Sequence, residues 1–333
     1  MIKSKWLEWQ RNNRFMTMPI FTFPALKAIN TTVKEVVKDA SKQAQLIKYI
    51  ANNYQTSVAL GFMDLSVEAE AFGSKVRFFE NDVPTIIGSI IKTSEDARNI
   101  EVPSPFNGRT GTYIDGIKKT KSLVVDKPVF AGAIGPFSLA GRLMDMTEIM
   151  INCYINPEVV ELTLEKTTDF IIKYINAFKS VGADGIFIAE PAAGLLSPEL
   201  CQKFSTNYIK KIKAAVSDES FVFGYHNCGN VLPLVNEIID IEADIYHFGE
   251  AVDIEDMLKA IPKEALVMGN INPSKFIHIS REKEIYNDTV DLLKRCNKYD
   301  NFVISTGCDI PNSAPLSNVQ AYFDGVTDFY SKD

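Results

Sequence analysis

Along the second half of the chain, short apolar runs alternate with longer stretches whose apolar positions recur every three or four residues. The runs are ADGIFIAE (183–190), FVFGYH (221–226), ADIYHFGE (243–250), ALVMGNIN (265–272) and FVISTGCD (302–309). Each is short and largely apolar, as a strand covered on both faces must be. The periodic stretches between them predict helices. In SPELCQKFSTNYIKKIKAAVSD, Ser197 is a natural N-cap and Pro198 takes the first helical position. PLSNVQAYFDGVTDFYSKD predicts a closing helix. Earlier in the chain, MPIFTF (18–23), SVALGFMD (57–64) and KPVFAGAIG (127–135) supply three more strands.

Eight strands with helices between them is the count of a closed (β/α)8 TIM barrel, here one domain over residues 1–333. An open doubly wound sheet is the alternative. It wants a glycine-rich phosphate turn after the first strand, and MPIFTFPALKAIN has none. The stretch of about 65–126 is too long for one helix and reads as an insertion beside the barrel mouth, a hairpin and a lid. In a barrel, chemistry sits at the carboxyl ends of the strands.

Composition narrows the class. Of 333 residues, 46% are hydrophobic and 23% charged, an ordinary globular balance. The net charge of −7 argues against nucleic acid, which wants a basic surface. No membrane span and no signal peptide are expected, because no window offers a long uncharged apolar run. Five cysteines without a secretory pattern predict reduced thiols in a cytoplasm. A homodimer is a candidate assembly, since barrels of this size occur as monomers and dimers.

The chain has only three histidines, yet GYHNCGN places His226 and Cys228 two residues apart at the end of a predicted strand. Cys308 ends another, 80 residues on. Both positions face the mouth of a barrel. One imidazole and two thiolates suit Zn²⁺ and leave one position open. A zinc so ligated favours holding a substrate thiol as thiolate over activating water. The competing reading is that the pair is a packing accident. Glu190, at the end of GIFIAE, is a candidate fourth, displaceable ligand or proton acceptor; a carboxylate capping neighbouring backbone is the bland alternative. His247 is a candidate contact to the bound group or a support behind it, or else a satisfied core histidine. Arg142 in GPFSLAGRLMD is a candidate for an anionic substrate tail, or else a solvated arginine. Asn270, Asp64, Glu250 and Asp309 also end or follow strands. Cys153, Cys201 and Cys296 read as structural thiols.

At these residues the sequence resembles the uroporphyrinogen decarboxylase superfamily, and within it the corrinoid-dependent methyltransferase branch. GFMDLSVEAEAFG, GPFSLAGRLM, GADGIFIAEPAAGLLSPE, YHNCGN, MGNINP and STGCDIP lie in family order. The resemblance implies that the branch's zinc motif falls on His226, Cys228 and Cys308; Glu190 beside it is the candidate fourth ligand, and Asn270, His247 and Arg142 are candidate cofactor or substrate contacts by their positions. It implies a methyl-corrinoid (cobalamin) carried by a partner protein that docks over the mouth, and a zinc-bound thiol acceptor, coenzyme M-like, that takes the methyl group. Relatives that run the reverse half-reaction, demethylating a small methoxylated or methylated donor, give the alternative. A non-enzymatic zinc-stabilised barrel that binds a partner is the second alternative. Two departures stand out. The decarboxylase's arginine-rich N-terminal segment is matched here by MPIFTFPALKAINTT, without arginine, which argues against porphyrinogen decarboxylation. The branch's usual Asp-Pro after the fourth strand is Glu190–Pro191.

Overall fold

The structure, a computed structural model, describes residues 1–331; the last two residues of the predicted closing helix lie outside them. The described residues form nine strands: β1 (Ala59–Leu60), β2 (Lys75–Arg77), β3 (Thr85–Ile87), β4 (Val129–Ile134), β5 (Gly185–Ala189), β6 (Val222–Asn227), β7 (Ile245–Phe248), β8 (Leu266–Ile271) and β9 (Phe302–Thr306). Seven of them form one sheet in the order β1-β4-β5-β6-β7-β8-β9, every pairing parallel. Parallel neighbours need a crossover, and helices supply it on the outside.

The sheet curls into the predicted barrel, with one correction. MPIFTF is not a strand of the sheet. Its backbone still lies between the two edges. Thr17 bridges Thr56 in parallel sense beside β1. On the other side Met18 N–H reaches Ile304 O at 3.4 Å, and the Ser305 hydroxyl donates to Met18 O at 2.8 Å. Pro19 has no N–H to give, so a regular ladder cannot run through this stave. The ring closes here through scattered bonds.

The barrel interior holds Met18, Ile20, Leu60, Phe130, Phe187, Val222, Ile245, Leu266, Met268 and Val303. The helix Lys3–Asn12 plugs the amino-terminal end of the strands. Its Trp6 is buried 5.2 Å from the Phe130 ring, which leaves the carboxyl end as the open mouth. Outside, long helices bury one stripe each. In Pro157–Ser180 the buried positions Val160, Leu164, Phe170, Ile171, Tyr174 and Phe178 follow helical spacing and join the larger core. Ser197 caps its helix as predicted, accepting from Leu200 N–H at 3.3 Å.

Between β1 and β4, β2 and β3 form an antiparallel hairpin in the register Lys75↔Ile87, Val76↔Ile86, Arg77↔Thr85. The later part of that stretch is the helix Gly108–Leu123, which packs on the barrel against Ala40–Asn53 and β4. The hairpin tip is tied down twice. Lys34 N–H donates to Glu80 O at 3.2 Å, and the Asn312 amide donates to Asn81 O. No helix among the described residues is long and apolar enough to cross a membrane.

Candidate functional site

His226 is the penultimate residue of β6, and Cys228 follows the strand end. Strand side chains alternate faces, so residues 226 and 228 point the same way and Asn227 points opposite. Asn227 uses that opposite face as an anchor. Its amide donates to Glu190 O at 2.7 Å and its oxygen accepts from Gly229 N–H at 2.9 Å. Gly249 lets this turn pack down: a Cβ there would come within 2.6 Å of Cys228 Cα. Cys308 arrives from the loop after β9. The ligand atoms of His226, Cys228 and Cys308 all lie within 4.8 Å of one another, the one such group among the described residues. Cys308 Sγ is 3.8 Å from His226 Nε2.

Electrostatics splits the two thiols. The neighbouring Cys308 and then His226 pull the Cys228 thiol down to about 4. Its partner Cys308 is pushed far up, first by the shared hydrogen bond and then by burial. The two thiols are thus driven in opposite directions, beside an imidazole nitrogen. A soft, partly anionic N/S₂ donor set fits a zinc ion.

The group opens into a cavity of about 690 Å³. Its walls include Ile20, Phe23, Ile277 and Ile310, with Asn81 to Ile86 of the hairpin across the top. Arg142 is the one lysine or arginine among the lining residues, and among the described residues it has no ion-pair or hydrogen-bond partner.

Glu190 lies outside the group formed by His226, Cys228 and Cys308. It is fully buried, and its two oxygens accept from Phe137 N–H at 3.0 Å and Ser138 N–H at 2.6 Å. The carboxylate caps the helix Pro136–Met144 against the end of β5. Burial lifts it to about 7, against the pull of the Ser138 and Phe137 bonds. A Cβ at Gly135 would collide with Glu190 Oε2, so the glycine is what lets the carboxylate sit there. Asn270 is likewise a brace rather than a cavity group, donating to Gly249 O at 2.9 Å and Val252 O at 2.8 Å.

His247 stands behind the site. Its Nδ1 is 2.8 Å from His226 Nδ1 and its Nε2 is 2.7 Å from Thr306 O. Burial, then the neighbouring His226, pushes it well below the usual histidine range, so it is neutral. Asp64 lines the cavity but is already engaged. The buried Arg109 pairs with it and with Glu70, the Tyr113 hydroxyl donates to it at 2.9 Å and the Ser66 hydroxyl at 2.6 Å. Asp309 also lines the cavity, and burial lifts it to about 8. Glu250 does not line it. Cys153, Cys201 and Cys296 are buried and free, as expected.

Three groups escaped the sequence reading. Arg109 sits in a loop-like segment, NGRTGTY, whose polar character announces nothing buried. Ser305 and the Thr306 carbonyl lie inside an apolar strand, and no local signal marks either as a partner for a histidine.

The uroporphyrinogen decarboxylase (URO-D) family pattern matches residues 18–329. The methylcobamide:CoM methyltransferase MtbA of Methanosarcina acetivorans is 26% identical over 261 residues, 77% of this chain and 75% of that protein. The uroporphyrinogen decarboxylase of Coxiella burnetii is 25% identical over 293 residues, 84% of this chain and 79% of that protein. Among solved structures, a methyltransferase from Methanosarcina mazei superposes with a TM-score of 0.86 at 22% identity, covering 99% of both chains, a likeness of fold.

Proposed function

Because this chain belongs to the uroporphyrinogen decarboxylase family, we propose that it is a zinc-dependent methyltransferase, moving a methyl group from a methyl-corrinoid protein to a thiol seated at His226, Cys228 and Cys308. The observation that carries this reading is the convergence of one imidazole and two thiols within 4.8 Å at the floor of the mouth cavity. The relatives named as methylcobamide:CoM methyltransferases support the reaction class.

Zinc at these three residues would supply a Lewis acid that lowers the pKa of the incoming thiol. The chain's own groups do the rest. Zinc would be held by Cys228 and Cys308 as thiolates, so its uptake would release the protons they carry. Arg142 is a free guanidinium for an anionic tail on the thiol. The apolar walls of Ile20, Phe23, Val83 and Ile310 keep water from the sulfur, which strengthens every charge interaction there. The sulfur then takes the methyl carbon, and the electron pair of the broken carbon–cobalt bond stays with cobalt. A cavity of 690 Å³ suits a small thiol, so the corrinoid meets it from the partner's side of the mouth. The hairpin over the cavity is the element that must yield, and its proteolytic sensitivity should change when the partner is added. Five free cysteines fit a reducing cytoplasm.

Decarboxylation of a porphyrinogen is less well supported. Several carboxylates want several cations, and Arg142 is the one lysine or arginine in the lining.

The test is zinc content and turnover, wild type against Cys308→Ala. About one zinc per chain is expected, lost in the variant, with methylcobalamin and a panel of thiols giving thioether. Turnover only with a methylated donor and cob(I)alamin would reverse the direction. Absence of zinc from wild type grown with the metal would sink the reading.

A further inference from the structure

The three nitrogens and two carbonyls behind the site admit one arrangement of protons. In β6 and β7 the register sets His226 beside His247, with ring centroids 4.7 Å apart. His247 is fully buried, so water offers it no other partner. Its Nε2 lies 2.7 Å from Thr306 O and 3.1 Å from Ser305 Oγ. A carbonyl only accepts, so Nε2 must carry the hydrogen. Ser305 spends its own hydrogen on Met18 O at 2.8 Å and keeps a lone pair for His247. No carboxylate touches either ring nitrogen of His247, and a neutral ring with Nε2–H leaves Nδ1 as a bare acceptor. The atom facing that acceptor at 2.8 Å is His226 Nδ1, which must then be the donor. His226 Nε2 is left with its lone pair, on the side where Cys308 Sγ stands 3.8 Å away.

We infer that His247 is a positioning residue that locks His226 as the Nδ1–H tautomer, aiming the Nε2 lone pair at the two thiols. The inference rests on the zinc-centre reading above for its purpose, but not for its geometry. The chain of donors runs one way, from His226 through His247 to carbonyls at Thr306 and Met18, because both ends can only accept. A neutral imidazole in this role adds no charge, so the two thiolates remain the negative protein ligands of the centre.

Three histidines make the test tractable, since ring-nitrogen NMR of histidine-labelled protein has three residues to assign, with exposed His278 as the solvent control. In the metal-free wild type, His226 should show a proton on Nδ1 and a bare Nε2, and His247 the reverse. A proton on His226 Nε2 would overturn the inference. Zinc competition titration gives the second arm. His247→Leu should lose about 10–100-fold in affinity, the range for partners behind a metal-binding histidine. His247→Gln, whose amide offers an acceptor and a donor on one rigid plane, should recover most of it. Affinity of His247→Leu within threefold of wild type would refute a positioning role. If wild type takes up no zinc, the proposed function fails, while the ring-nitrogen signals still decide the tautomer.

Discussion

Replacing Glu190 by glutamine separates a helix cap from a metal ligand. The carboxylate receives two backbone N–H groups at 3.0 and 2.6 Å in a fully buried pocket. A glutamine keeps one acceptor oxygen and presents an NH₂ to the second donor. One buried backbone donor is thus left unmade, at a cost of about 1–3 kcal/mol. An unfolding entropy of about 2 cal/mol/K per residue gives a 333-residue chain roughly 0.7 kcal/mol/K. A loss of about 2 kcal/mol therefore lowers Tm by roughly 3 °C. Because burial raises the Glu190 carboxyl to about 7, wild-type stability is fullest below the ordinary carboxylate range and falls as pH rises through 7. Glutamine does not titrate, so the gap between the two proteins should be widest near pH 5 and narrower at pH 8. Thermal melts across that range, paired with zinc competition titration, read both quantities. A Tm equal to wild type with zinc affinity down a hundredfold would refute the cap and restore Glu190 as a ligand.

Arg142→Met should raise KM for an anionic thiol about 10–100-fold, the value of one charge-assisted hydrogen bond of about 1.5–3 kcal/mol, and leave a neutral thiol unaffected; equal effects on both would remove Arg142 from the substrate. Arg109→Met should cost about 3–5 kcal/mol in denaturant unfolding, because it strands the buried Asp64 charge. Asp64→Asn added to it should return part of that loss, and a strictly additive double variant would show the two residues uncoupled. Glu68 is buried with one oxygen bonded to Ile134 N–H and the other without a partner, and burial lifts it to about 8. Its contribution is present below the ordinary carboxylate range and lost as pH climbs toward 8. Glu68→Gln, which does not titrate, should gain stability relative to wild type between pH 5 and 8, by up to a few kcal/mol at about 1.4 kcal/mol per unit of displacement; parallel pH profiles for the two proteins would refute the buried acid.

Local rules carried the reading a long way. Apolar runs of strand length, set between amphipathic stretches, specify parallel strands buried on both faces, because period and composition follow from which faces are covered. The spacing of His226 and Cys228 specifies a shared face, because strand side chains alternate. Ring closure decided what spacing cannot express. Cys308 meets His226 only because β9 and β6 converge on one axis, 80 residues apart. Pro19 turned a predicted strand into a stave without a ladder, since a missing N–H matters only once a neighbouring edge presents its carbonyls. For Glu190 the sequence supplied a carboxylate at the mouth, and the tertiary structure supplied the two N–H groups that claimed it. For His247 the sequence supplied an imidazole in an apolar strand, while the carbonyl of Thr306 across the barrel decided which nitrogen carries the proton. Side-chain type and period are local properties. Which buried donor finds which acceptor is fixed by contacts between distant segments, and those exist only after the ring has closed.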